Sequence, residues 1–256
     1  MSILHGAWSD SSFSAVVRPL RDRVEAAELL DAPDHHAWEL AANLRDIRLV
    51  NRLAGGSATV FHYLPTLIGA GSLNRPLSLL DLATGSGDIP LAVADWAARS
   101  GVTLEITASD ASPQILAEAR RMLAGTPNVA FAEWDARQVP MPDGSFDIVL
   151  CSLALHHFTP ADAVLVLREM DRLARIGFVV NDIRRSPAGY ASAWLASRVA
   201  TRNRLTRHDM PLSVQRAYTP AELRALCDEA GIDGVRVATH PLFRMAAVRQ
   251  PGSVAT

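Results

Sequence analysis

The chain has 256 residues, 49% of them hydrophobic and 20% charged, with a formal net charge of −2 at pH 7. That is enough chain to bury a core unaided, and the balance shows none of the basic excess of a nucleic-acid or anionic-membrane binder. Its two cysteines, Cys151 and Cys227, form no CxxC pair, which fits a reducing compartment and argues against a disulfide framework or a cysteine-rich zinc site.

No metal-ligand pattern stands out along the chain, so no metal is expected. The opening MSILHGAWSDSSF lacks the basic and apolar regions of a secretory signal, and no apolar run reaches the ~18 residues of a membrane span. A soluble, cytoplasmic protein is expected. In AWELAANLRDIRLVNRLAGG, Leu40, Leu44, Ile47, Val50 and Leu53 recur at three- and four-residue spacing, giving one apolar helix face that Gly55–Gly56 ends. A second helix is expected at about 57–70. Residues 1–75 read as an N-terminal helical cap, with a boundary between Gly71 and Pro76.

From residue 77 short apolar runs alternate with helical stretches. LSLLDL (77–82), LEITAS (104–109), NVAFAE (128–133), FDIVLC (146–151) and IGFVVN (176–181) read as strands buried on both faces. Ser112-Pro113, Thr159-Pro160 and Thr219-Pro220 each set a hydroxyl before a first-turn proline, and Thr219-Pro-Ala-Glu222 is a capping box. Such alternation predicts a doubly wound parallel sheet with right-handed crossovers. GVRVATH (234–240) and LFRMAAVRQ (242–250) have only Pro241 between them, so they must pair antiparallel. The expected fold is a mostly parallel seven-stranded α/β sheet ending in an antiparallel hairpin. Residues 76–256 form the core, with a helical insertion at about 186–218.

The first strand runs into LLDLATGSGDIP (79–90). Glycines at 85 and 87 let a ligand approach the backbone, and the following helix offers it free N–H groups. A dinucleotide fingerprint needs glycine where Pro90 stands, and no lysine completes a phosphate loop. Asp81, ahead of the glycines, would repel a pyrophosphate and suits a ligand with a cationic end. Asp110 closes the second strand, placed to accept ribose hydroxyls, and Asp135 follows the third, placed to accept an adenine amine. Each also has an ordinary turn or capping role. The series asks for a ligand with an ammonium, a ribose and an adenine.

DLATGSG at 81–87, Asp110, Asp135-Ala136 and PMPDGSFDIVLCSLALHHF together resemble the class I S-adenosylmethionine-dependent methyltransferases. The likeness is nearest to the ubiquinone/menaquinone biosynthesis group, and the terminal hairpin is shared with that fold. It covers about residues 75–180 and the hairpin. The resemblance implies that Asp81, Ala83, Thr84, Gly85 and Gly87 meet the methionine part of the cofactor. It also implies that Asp110 and Ala111 bind the ribose, that Asp135 and Ala136 frame the adenine, and that Cys151, Ser152 and Leu153 line the pocket. S-adenosylhomocysteine would be the product. Ala83 departs from the usual glycine, and a slightly shifted turn is expected.

An oxygen nucleophile gains from a nearby base, and His156 and His157, after the fourth strand, are candidates. Asp182, in NDIRRSP, could orient a histidine, bind substrate or cap the next helix. RLTRHDMPLSVQRAY supplies His208, a further catalytic candidate, within an insertion placed to cover the substrate mouth. Arg45 or Arg52 of the first helix could meet the cofactor's carboxylate. NLRDIRLVNRLAGG and SVQRAYTPAEL also resemble bacterial methyltransferases of phenolic and polyketide natural products, which leans the expectation toward O-methylation of a small, fairly apolar molecule. C-methylation of a quinone precursor and a non-catalytic cofactor-binding module are the alternatives. Nucleic acid is not an expected partner, because no Asn/Asp-Pro-Pro-Tyr motif follows the fourth strand; a homodimer is possible.

Overall fold

The computed structural model describes residues 20–32, 35–70 and 75–250. Seven strands run as β1 (Leu77–Leu82), β2 (Leu104–Asp110), β3 (Val129–Glu133), β4 (Phe146–Ser152), β5 (Ala174–Ile183), β6 (Val235–His240) and β7 (Arg244–Arg249). They form one sheet of order β3-β2-β1-β4-β5-β7-β6. β1 pairs parallel with β2 and β4, while β7 lies antiparallel to both β5 and β6. The direction of winding reverses between β1 and β4, so their carboxyl ends flank the crevice where ligands of such sheets bind.

Eight helices among the described residues surround it: α1 (Ala37–Leu53), α2 (Ala58–Ala70), α3 (Asp88–Ser100), α4 (Pro113–Met122), α5 (Pro160–Leu173), α6 (Pro187–Val199), α7 (Arg204–Arg216) and α8 (Pro220–Ala230). The period-two alternation of each strand divides the core. Leu80, Leu82, Val149 and Val180 face Leu167 and Met170 of α5 and Leu223 of α8. Leu79, Ile106, Ile148 and Val179 face Val60, Leu64 and Leu67 of α2 and Val93 of α3. The sheet is thus covered on both sides, as its near-continuous apolar strands require.

The hydroxyls of Ser112, Thr159 and Thr219 accept the first-turn N–H groups of α4, α5 and α8, and Glu222 completes the capping box on Thr219. Ser186-Pro187 repeats the same signature and starts α6, and Asn203 caps α7; these two helices make up the insertion.

Three expectations need correction. α2 is a covering layer of the sheet rather than part of a cap, because its apolar face has the sheet to bury against. Residues 20–32 hold one 3₁₀ turn, Leu29–Asp31, and otherwise run as an irregular strap; residues 1–19 lie outside the described residues. The hairpin connection is Pro241–Phe243 rather than Pro241 alone. Leu242 and Phe243 adopt left-handed φ values of 57° and 59°, which no strand residue can hold.

Candidate active site

The turn after β1 forms the floor of a cavity of about 590 Å³, lined by Asp81, Ala83, Thr84, Gly85, Asp110, Ala111, Ser152 and Leu153 among others. Ala83 takes the left-handed φ of 51° that glycine would adopt freely, so the turn keeps its path and the alanine bears the strain. Gly85, at φ +57°, presents its missing side chain to open space. Leu153, opposite, is also left-handed at φ 57°. Strained residues of this kind concentrate at functional sites.

Asp81 is 1% exposed. The Thr84 hydroxyl donates to its Oδ2 at 2.6 Å, while Oδ1 has no partner. Burial pushes its carboxyl up to about 7, helped by Asp88 and Asp110. Asp110 accepts the Gly85 N–H at 3.0 Å and the Ser112 N–H at 3.0 Å, yet burial still raises it above the ordinary carboxylate range. Two buried carboxylates with spare lone pairs need a ligand that brings donors, and a cation at Asp81.

Of the cofactor candidates, Cys151, Ala136, Asp135, Gly87, Arg45 and Arg52 fall outside this cavity. Cys151 points to the opposite side of β4, into the core, and burial drives its thiol well up. Ala136 is packed in the same core. The Asp135 carboxylate is taken by the Arg137 guanidinium at 2.6 Å and does not line this cavity. Gly87 serves packing instead: a side chain there would come within 2.9 Å of Leu123. Arg45 lies on the exposed side of α1, whereas Leu44 and Ile47 turn inward.

A second cavity, of about 390 Å³, adjoins the first and shares with it Leu30, Ile47, Asn51, Leu153 and His157. Its walls come from α1, α6, α7, the end of β5 and the β6–β7 connection. The histidine pair stands at the junction, ring centroids 4.3 Å apart. His156 is 4% exposed, and its Nδ1 meets Asp182 Oδ1 at 2.7 Å. Asp182 also accepts the backbone N–H of His156 at 2.9 Å and of Ile183 at 2.7 Å. Burial would raise Asp182, but the imidazole and these donors hold it below the usual range. The other ring nitrogen of His156, Nε2, lies 3.9 Å from Glu28 Oε1.

His157 differs. Its Nδ1 meets Asp31 Oδ1 at 3.0 Å, and its Nε2 lies 3.8 Å from Glu28 Oε2. Burial alone would lower it, but Glu28 and Asp31 outweigh burial and push it up to about 9. It is therefore cationic at neutral pH. His208, by contrast, is exposed on α7, pairs with Asp209 at 2.7 Å and lines neither cavity.

Glu28 and Asp31 escape sequence reading, because the strap that carries them has no periodicity. Arg216 ties that strap to the histidines: it donates to Asp31 at 2.9 Å and to the carbonyl of His157 at 2.6 Å. Glu28, His156 and His157 bring three potential ligand atoms within 4.8 Å of one another, a grouping unforeseen in the sequence.

A family profile described as a methyltransferase domain matches residues 79–177, which hold the turn, both buried aspartates and the histidine pair. The demethylmenaquinone methyltransferase of Deinococcus radiodurans is 37% identical over 105 residues, 41% of this chain and 41% of that relative. The match therefore spans less than half of that protein's length. The ubiquinone/menaquinone biosynthesis C-methyltransferase of Paraburkholderia phymatum is 28% identical, over 66% of this chain and 72% of the relative. A solved S-adenosylmethionine-dependent methyltransferase of Aquifex aeolicus shares the fold, with a TM-score of 0.55 and 15% identity, over 81% of this chain and 96% of the other. Residues 79–177 thus match a methyltransferase domain, and the chain is similar in sequence and in fold to S-adenosylmethionine-dependent methyltransferases. The residues present fit S-adenosylmethionine. The orphaned Asp81 oxygen suits its ammonium, Asp110 retains lone pairs for ribose hydroxyls, and no wall of the pocket offers a lysine or arginine to a phosphate.

Proposed function

We propose that the protein transfers the methyl group of S-adenosylmethionine to a small, largely apolar molecule, at a phenolic oxygen. What carries this reading is the junction itself: a carboxylate-lined pocket opens onto a mainly apolar cavity beside a histidine held by a buried aspartate. The acceptor cavity, about 390 Å³, lies at the small end of ligand pockets (~300–1,000 Å³), which suits one or two fused rings.

When bound, the cofactor supplies a sulfonium methyl group. Asp81 and Asp110 hold it at the ends of β1 and β2, with the Ala83–Gly85 turn beneath. The walls from α1, α6 and α7 exclude water, and they align the acceptor. Asp182 would fix the His156 ring, whose Nε2 would take the acceptor's hydroxyl proton. Protonated His157 leaves the base role to His156 and acts as a fixed positive neighbour.

C-methylation of a quinone precursor is the second reading, favoured by the names of the quinone-pathway relatives. It uses the same base on a ring carbon acid. Calorimetry with S-adenosylhomocysteine, followed by turnover on a phenolic panel with product mass and fragmentation, separates the two. Failure of S-adenosylhomocysteine to bind would sink both.

A further inference from the structure

Arg244 opens β7 and is 4% exposed, yet its side chain makes no hydrogen bond or ion pair. Other arginines buried as deeply are satisfied. Arg185 donates to the carbonyls of Leu20 and Ala217 and to Glu222, and Arg216 to Asp31 and three carbonyls. Arg184, at the end of β5 beside the position paired with Arg244, likewise has a buried Nε without an acceptor. Both arginines line the acceptor cavity, and neither lines the cofactor pocket.

The carboxylates within reach are already engaged. In the cavity, Glu28 accepts the Ser213 hydroxyl, and Asp209 accepts the backbone N–H groups of Leu29 and Leu30. The two whose field Arg244 feels most are Asp182, bound to His156, and Asp88, bound to Asn51 and Ser86. None lies within ion-pair distance of Arg244. A buried guanidinium left this way is costly, and natural interiors pair such charges.

We propose that Arg244, with Arg184 beside it, is the anion-binding subsite of the acceptor cavity, and that the methyl acceptor carries a carboxylate. This rests on the methyltransferase reading and narrows its substrate class to hydroxy-acids. The planar guanidinium takes a carboxylate through two parallel N–H donors, which fixes the acceptor's orientation as well as its charge. Burial lowers the Arg244 guanidinium from its ordinary value, the reverse of Arg137 and Arg172, which carboxylate partners raise. An anionic guest would supply the missing partner. The cofactor's own carboxylate is the other possible source.

Calorimetry on the full chain saturated with S-adenosylhomocysteine distinguishes these sources. The probes are benzoate and 6-hydroxy-2-naphthoate, each against its neutral amide. The wild type should bind at least one carboxylate about tenfold or more tightly than its amide, as loss of a charged hydrogen-bonded pair implies. Arg244→Met should erase that preference, Arg244→Lys should retain part of it, and S-adenosylhomocysteine affinity should be equal in all three. Without ligand, Arg244→Met should melt higher, by roughly 2–4 °C. Absence of any carboxylate preference in the wild type, or a lower melting temperature for Arg244→Met, overturns the proposal. Weakened S-adenosylhomocysteine binding in Arg244→Met overturns it too, by assigning the arginine to the cofactor. If the wild type binds no S-adenosylhomocysteine, the family reading fails instead.

Discussion

The cofactor pocket and the acceptor cavity share a wall at Asn51, Leu153 and His157, but they carry opposite unmatched charge. The first has buried carboxylates, Asp81 and Asp110, with no arginine or lysine in its walls. The second has the buried, unpartnered Arg244 guanidinium and the unpartnered Nε of half-buried Arg184, while its own carboxylates are engaged. A buried charge without a partner is tolerated where a ligand brings the counter-charge. On the proposed reading a cation enters one side and an anion the other, with His157 in the shared wall and His156 beside it.

The largest break in that contrast should come from His156→Ala. Turnover is expected to fall by ~10²–10⁴-fold, the usual range for a general base, while S-adenosylhomocysteine affinity measured by calorimetry stays unchanged. Undiminished turnover would remove this histidine from the mechanism. Asp110→Ala tests the other side. Two charged hydrogen bonds to ribose hydroxyls at roughly 1.5–3 kcal/mol each imply a loss of cofactor affinity of about 100-fold or more. Circular dichroism must show the fold retained, because Asp110 also holds Gly85 and Ser112.

A pH titration sharpens the comparison further. Asp81 titrates near 7 when the pocket is empty, and the cofactor's ammonium favours its ionised form. Affinity for S-adenosylhomocysteine should therefore rise about tenfold per pH unit below 7 and level off above it. Asp81→Asn should flatten the profile and weaken binding throughout; a flat wild-type profile would dispose of the ammonium pairing.

The histidine at the shared wall should respond in the opposite sense. His157 is raised to about 9 in the fold, from the ordinary ~6.5 of an unfolded chain. Its contribution is complete below about 6.5 and is lost as pH rises through 9. Protection factors at the strap amides of Leu29 and Leu30, which bond to Asp209 of α7, should fall over that interval once the intrinsic rise of exchange with pH is divided out, and His157→Gln should make them pH-independent. The smallest effect is expected for Ala83→Gly. Relief of the left-handed strain, ~1–2 kcal/mol, is offset by glycine's greater chain entropy, ~0.4–1 kcal/mol. The melting temperature should rise by no more than a few degrees.

Strand periodicity, helix caps and the short hairpin link disclosed the seven-stranded sheet with its antiparallel end and pointed to the first cavity, because that cavity is built from turns that directly continue strands. Asp81 and Asp110 sit where their strands end, and β-strand geometry leaves them nowhere else to go. Cys151 shows the limit: one step of alternation sends it into the core while Ser152 and Leu153 line the pocket. Asp135 shows another, since Arg137, two residues on, claims the carboxylate.

The acceptor cavity has a different origin. Glu28, Asn43, His156, Asp209 and Arg244 come from five segments, and no spacing along the chain relates them. The linear order of residues was enough for the α/β sheet and for the resemblance to S-adenosylmethionine-dependent methyltransferases, since strand alternation and turn chemistry are local. Which histidine meets Asp182 and which meets Asp31, which carboxylates are already engaged and which arginine is left without one were decided by packing. Partnership among buried charges depends on distances of a few ångströms between segments far apart in the chain.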